Sequence, residues 1–301
     1  MKMQAAGVLN EHISIIGGPY YPAYLIKGKK KNLMIDAGVN LIAPLYIKSI
    51  EESLGNINNL HYLFTTHSHY DHLGSMPYIK RKIPGLLTGG HPRINSIVSK
   101  ESVIGMMNHL SDIQRPFFRE ITGDEDVKLE TFSLDMELKE RDSIDLGSLT
   151  CVVYETPGHT RDSLSYYIPE IETLIPGECL GVPEGNKGES AQVEFLSSFD
   201  DYIDSIKKMQ LLNVKILCHG HGWVFTDNDV PEFIDMSHKA TYVYRKLIES
   251  YLDGAGGDIK KAIEIIIKKE YEEKGNIFQE KNAYITNLTA QVTHIAAINK
   301  L

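Results

Sequence analysis

Cysteine is scarce, with three residues in a chain of 301: Cys151, Cys179 and Cys218. Their number is odd, their spacing wide, and no Cys-x-x-Cys occurs, which excludes a disulfide framework and a thiolate zinc site. A reducing compartment fits. Long apolar runs are missing too: none approaches the roughly 20 residues that span a bilayer. The opening stretch, MKMQAAGVLNEHISIIGG, meets Glu11 and His12 before any apolar segment of the kind a secretory signal needs. The expectation is a cytoplasmic protein with no membrane partner. Positive charge is short as well. Against 40 acidic residues stand 31 basic ones, a net charge of -9, so nucleic acid and anionic membranes meet no broad cationic face. The one basic cluster, Lys27 to Lys31 around Gly28, reads as the solvated turn of a hairpin.

What the chain has is ordinary globular material, 42% hydrophobic and 24% charged, enough for one large domain or two smaller ones. From Ile13 to Ala37, short apolar runs alternate with Gly and Pro punctuation, the pattern of strands joined by tight turns. Residues 40–54 space Leu41, Leu45, Ile47 and Ile50 as a helix ending at Gly55. LHYLFTTHSH then runs from a strand into polar residues, with a helix after it. GLLTGG, LTCVVYETPG, SLSYYIP, ETLIPGE and VKILCHGHG each read as a short strand. Between them, residues 93–120 and SSFDDYIDSIKKMQLL read as helices, the second capped by Ser198 or Asp200. Beyond Pro231 strand signals stop. The reading is an α/β domain over residues 1–230 and a helical extension over 231–301, with Ile259, Ala262, Ile263 and Ile266 on one helical face. No internal repeat is present.

The chemical signal sits in TTHSHYDHLG, where His67, His69, Asp71 and His72 fall within six residues at the end of a predicted strand. Imidazole suits zinc, iron and other borderline cations, and a carboxylate adds charge and a hard oxygen donor. Alternating His67 and His69 can face one ion while Asp71 and His72 face another. Three further strand ends supply His159, Glu178 and His221. Together they make a shell for two cations about 3.5–4 Å apart, with a bridging carboxylate and hydroxide.

These residues in this order, His-x-His-x-Asp-His, a lone His, an acid and a final His, resemble the metallo-β-lactamase superfamily; LMIDAG and TPGHT add to the likeness, which covers roughly residues 8–225. The resemblance implies a four-layer αβ/βα sandwich with ligands on loops at one edge. It implies that His67, His69 and His159 hold one metal and Asp71, His72 and His221 the other, with Glu178 bridging, and that Asp36 supports the ligand loop. Glu178 stands where the family usually has Asp, one methylene shorter, which opens the choice of metal to zinc or iron, with manganese admitted. HSHYDHLGSMPYIKRKIPG, PGECLG, SSFDDYIDSIKKMQ and the helical tail further resemble the quinolone-signal response branch of the family, thioesterases acting on 2-aminobenzoylacetyl-CoA. Only the reaction class is carried over.

The reading is therefore a binuclear metal-dependent hydrolase acting on a small-molecule acyl thioester or related ester. A thiolate with a pKa near about 8.5 leaves without strong acid help, whereas an amide nitrogen needs protonation. Asp71 and a metal-bound water are the candidates for proton transfer. A lactonase, a phosphodiesterase, a di-iron oxygenase or a non-catalytic sensor on the same fold are the alternatives. His219, His91 and His109 are not taken as ligands. Met106, Met107, Phe117 and Phe118 are read as core packing rather than cleft wall, and the tail as a lid or a homodimer interface.

Overall fold

Strand β1 (Lys2–Gln4) opens the computed structural model, which describes residues 1–185, 188–275, 277 and 279–299. The chain then lays down β2 (Gly7–Val8), β3 (Ile13–Ile16), β4 (Ala23–Lys27), β5 (Asn32–Ile35), β6 (Leu60–Phe64), β7 (Leu87–Gly90) and β8 (Met136–Glu137), neighbours in that order in one sheet. From β2 to β5 the pairs are antiparallel, as tight turns require, and the basic turn of residues 28–31 joins β4 to β5. From β5 to β8 they are parallel, because helical crossovers intervene: α1 (Ala43–Leu54), α2 (Tyr70–Leu73), α3 (Met76–Lys82), α4 (Arg93–Val98) and α5 (Glu101–Thr122).

The second sheet takes β9 (Ser143–Asp145), β10 (Thr150–Glu155), β11 (Leu164–Ile168) and β12 (Thr173–Ile175), antiparallel in sequence. After a separate hairpin of β13 (Val182–Glu184) and β14 (Ser190–Gln192), and after α6 (Phe199–Gln210), β15 (Ile216–Cys218) joins parallel to β12. β16 (Trp223–Thr226) and then β1 close that sheet. Tyr24, Ile26, Leu33 and Phe64 of the first sheet meet Val153, Leu164, Tyr166 and Ile175 of the second in a shared buried core. The helices α1, α3, α4 and α5 cover the outer face of the first sheet, and α6 with the tail covers that of the second. The result is the four-layer α/β sandwich expected from the sequence.

Local rules set the helix ends. The stretch expected as one helix over residues 40–54 begins as a 3-10 turn, Asn40–Ile42, before α1, which stops where Gly55 turns left-handed at φ 73° and donates its N–H to Glu51 O. Residues 93–120 divide into α4 and α5 at Ser99 and Lys100. Ser198 caps α6 by accepting the Asp201 N–H, and Tyr202, Ile203, Ile206 and Met209 are the buried stripe. On α5, Met107 is buried and Phe118 packs against the first sheet's helical layer, but Met106 and Phe117 are 55% and 84% exposed. They project from the outer side of a helix that has a partner on one side only, so core packing holds for just two of the four.

The tail is α7 (Asp229–Gly254), α8 (Ile259–Ile266) running into a π-helical turn at Ile267–Glu273, and α9 (Lys281–Asn299). Its apolar residues do not form a core of their own. Phe233, Ile248, Leu252, Ala262, Ile266, Leu288 and Val292 belong to the cluster that holds Phe195, Tyr202, Met209 and Leu217. Removing residues 231–301 therefore strips one side of that core from the sandwich. We expect the shortened chain to be insoluble or to lose its cooperative thermal transition by circular dichroism; a sharp melt within a few degrees of the parent's would show that the sandwich is self-sufficient.

Candidate metal centre

Five strands deliver the site, all at their C-terminal ends. β5 ends in Asp36, and β6 beside it, parallel, runs into Thr65, Thr66 and His67. In the second sheet β10 leads to His159, β12 to Glu178 and β15 to His221. Within each sheet these strands share one direction, so their ends gather at one edge of the sandwich. Gly177 and Gly158 allow the approach. Gly177 has φ +56°, and a Cβ there would sit 2.8 Å from Thr66 Cβ. Gly158 has φ +133°, and its Cβ would fall 2.3 Å from Tyr202 Cα on α6.

All seven residues singled out in the sequence lie together. One ligand atom each from His67, His69, His159 and Glu178 lies within 4.8 Å of the others, and the same holds for Asp71, His72 and His221. Glu178 stands between the two groups. Its Oε1 is 3.0 Å from His72 Nε2 and 3.3 Å from His221 Nε2, while Oε2 is 3.3 Å from His159 Nε2. The extra methylene of Glu over Asp thus still places the carboxylate between the groups.

The imidazoles are aimed by what holds their far nitrogens. His67 Nδ1 meets Thr66 Oγ1 at 3.0 Å, and His72 Nδ1 donates to Asp36 Oδ2 at 2.9 Å. His159 Nδ1 donates to the carbonyl of Glu194 at 2.9 Å, and His221 Nδ1 to that of Tyr20 at 2.6 Å. Each of these four then turns Nε2 inward, the nitrogen that offers a lone pair when the ring is neutral. His67 Nε2 is buried with no hydrogen-bond partner among the described residues, which ordinarily costs about 1–3 kcal/mol. An orphaned lone pair, four more imidazoles and two carboxylates are donors that could hold divalent cations, so the residues fit the ions that the sequence implies.

The electrostatics agree. Burial pulls His67 well below the ordinary imidazole range, and the neighbouring His72, His69 and His159 push it further. Burial and His159 bring His69 down to about 4. Burial also disfavours charge on His72, but Asp36 and Glu178 on either side outweigh it and hold the ring well above its usual value. For Glu178, burial raises the acid and the surrounding His159, His221 and His72 more than reverse it, so the carboxylate stays ionised. The edge of the sandwich thus keeps His67 and His69 neutral, their lone pairs free, beside an ionised Glu178.

His219, two positions from His221, lies elsewhere: it is buried against Phe225 and Phe233, and burial lowers it to about 3. His91 faces Glu155 at 4.0 Å, outside both groups. Sequence reading missed Thr66, whose hydroxyl also reaches Asp36 Oδ2 at 3.1 Å, although its place directly before His67 was a signal. It missed Glu194 and Tyr20 as well, which act through backbone carbonyls that no side-chain pattern reveals.

A profile of the Metallo-beta-lactamase superfamily matches residues 16–221, and the chain belongs to that family. A metallo-beta-lactamase fold-containing protein from Sulfurisphaera tokodaii is 24% identical over 260 residues, covering 84% of this chain and 92% of that protein. The hydroxyacylglutathione hydrolase of Bartonella quintana is 30% identical over 119 residues, covering 39% of this chain and 45% of the enzyme. Among solved structures, a metallo-beta-lactamase family protein from Thermus thermophilus superposes with a TM-score of 0.62 at 15% identity, covering 99% of this chain and 93% of that one. No helix among the described residues is long and apolar enough to cross a membrane.

Two substitutions test this geometry. Gly158→Ala forces a Cβ into the backbone of α6 in a conformation L residues avoid, and should cost about 3 kcal/mol or more and reduce bound metal; denaturant melts and elemental analysis read both. Glu184, on β13, has its carboxyl raised from 4.5 to about 7 by burial and by Glu194. The folded state keeps that proton where the unfolded chain has released it, so stability falls as pH rises between those values. Glu184→Gln should match the parent at pH 4 and exceed it at pH 8 by about 2 kcal/mol, an ordering that paired melts across the range would reveal or contradict.

Proposed function

We propose that this chain is a metal-dependent hydrolase of acyl thioesters. In this reading His67, His69 and His159 hold one divalent cation, Asp71, His72 and His221 a second, and Glu178 spans the two. The observation that carries it is the division of the Glu178 oxygens, Oε1 toward His72 and His221 and Oε2 toward His159. The imidazole-rich donors suit zinc or iron, with manganese admitted by the two carboxylates. Bound cations of this kind supply a Lewis-acid charge that ionises water near neutral pH and polarises a carbonyl.

The chain's own residues do the rest. Asp36, Thr66, Glu194 O and Tyr20 O fix the imidazole rings, so the donors do not reorganise when a substrate arrives. Asp71 is only half-buried, with Oδ2 3.5 Å from His221 Nε2. In this reading its Oδ2 accepts the proton of the attacking water and passes it to the departing sulfur. Gln114 bridges the phenols of Tyr21 and Tyr70 beside His221, a polar wall at the site's mouth.

Support for a thioester over an amide comes from chemistry and from kinship. No strong general acid besides Asp71 stands in the cluster, and a thiolate leaves without one. The Bartonella quintana relative is named for hydrolysing a hydroxyacylglutathione. The substrate is then a small acyl compound. The narrower likeness to the quinolone-signal response thioesterases rests on the sequence motifs alone.

Protein purified without added metal should carry two equivalents by elemental analysis and cleave an acyl thioester faster than a lactone or a bis-aryl phosphate. His69→Ala should lower bound metal and cut kcat/KM by at least about 100-fold while the circular dichroism spectrum is kept. Cleavage of the phosphodiester alone, or full turnover by His69→Ala, would overturn the reading.

A further inference from the structure

A cavity of about 470 Å³ opens beside the first group of donors, with His69 and His159 in its wall and Arg93, Ser96, Arg161 and Asp162 around them. The two arginines come from opposite sheets. Arg93 begins α4, just beyond β7 of the first, and Arg161 follows His159 in the loop after β10 of the second. Both are exposed. Arg115, Arg141 and Arg245 each sit against a carboxylate; Arg93 and Arg161, like Arg81 and Arg119 elsewhere on the surface, have no such partner among the described residues. In a chain of net charge -9, two guanidinium groups without an ion-pair partner lining one cavity beside the candidate metal centre concentrate positive charge there.

The cavity also holds an unmet acceptor. Asp162 is 2% exposed; its Oδ1 takes the Thr160 hydroxyl, and its Oδ2 has no hydrogen-bond partner among the described residues. Glu155, the nearby acid on β10, faces His91 at 4.0 Å. A ligand that satisfies this wall carries an anionic group for the guanidinium forks and an N–H for the buried carboxylate oxygen.

Resting on the thioesterase reading, we infer that this cavity receives the thiol half of the substrate, and that this half bears a carboxylate or phosphate together with an amide N–H. Arg93 and Arg161 bind the anion, Asp162 Oδ2 accepts the N–H, and the sulfur is led toward His69 and His159. The acyl half then lies on the other side of the centre and sets no requirement here.

Thioethers that cannot be hydrolysed separate this inference from the reading beneath it. Calorimetry on the metal-loaded protein would compare S-methylglutathione, which carries carboxylates, S-methyl-coenzyme A, which carries phosphates, and N-acetyl-S-methylcysteamine, which has the amide but no charge. One of the charged probes should bind at least about tenfold more tightly than the neutral one, and the Arg93→Gln/Arg161→Gln double variant should remove that advantage. Which charged probe wins identifies the anion. Asp162→Asn should weaken all three, since all carry the amide. Equal affinity for charged and neutral probes, or an advantage that survives the double variant, overturns the inference. Cleavage of a neutral cysteamine thioester alongside that result leaves the thioesterase reading standing; an arginine-dependent preference in a protein that cleaves no thioester removes that reading and keeps an anion pocket.

Discussion

Asp36 leaves β5 with φ 64°, a conformation that a side chain other than glycine's adopts at a cost of about 1–3 kcal/mol. The strain is held in place by what its carboxylate does. Buried at the end of the strand, it accepts the Thr66 N–H at 2.7 Å on Oδ1, and on Oδ2 the Thr66 hydroxyl at 3.1 Å and His72 Nδ1 at 2.9 Å. One anion therefore fixes the backbone that launches His67, the hydroxyl behind the His67 ring, and the ring of His72. A charge desolvated to this degree is tolerated only when its lone pairs are filled, so the loop has little freedom to deviate. The orientation of both groups of donors starts from that carboxylate.

The sandwich supplies the other half of the constraint. Parallel neighbours β5 and β6 in one sheet, and β12 and β15 in the other, end at the same edge; glycine at 177 lets the loop after β12 meet Thr66 of the first sheet's loop, and glycine at 158 lets the loop after β10 lie against α6. Chemistry at strand ends over a rigid core is a common division of labour. Here the core is continuous between the sheets, and the donors sit on short loops that leave the strand ends above it.

Much of this was legible in the chain. The ligand order is carried by side-chain identity, and the strand-end position of each ligand follows from apolar runs that stop at polar residues. Other parts were not. The carbonyls of Glu194 and Tyr20 aim rings through backbone geometry that exists only after folding. The split between buried Met107 and exposed Met106 depends on which face of α5 finds a partner, and adjacent methionines look alike in a sequence. The amphipathic tail announced its helices but not their destination, because an apolar stripe specifies burial without naming the surface that buries it.

That destination joins the tail to the metal centre through the β14–α6 connection. Asn287 Nδ2 on α9 donates to Glu194 Oε2 at 2.9 Å, and Gln291 Nε2 to Val193 O at 3.1 Å. His294 accepts the Phe199 N–H across 95 positions of chain. Glu194 in turn carries the carbonyl that steadies His159, and the Ser197 and Ser198 amides grip the carbonyl of Gly158 next to it. The last helix is thus a buttress for a residue near the chain's middle. Substitutions along α9 would be felt at His159 as a loosened ring, with every donor of the cluster left in place.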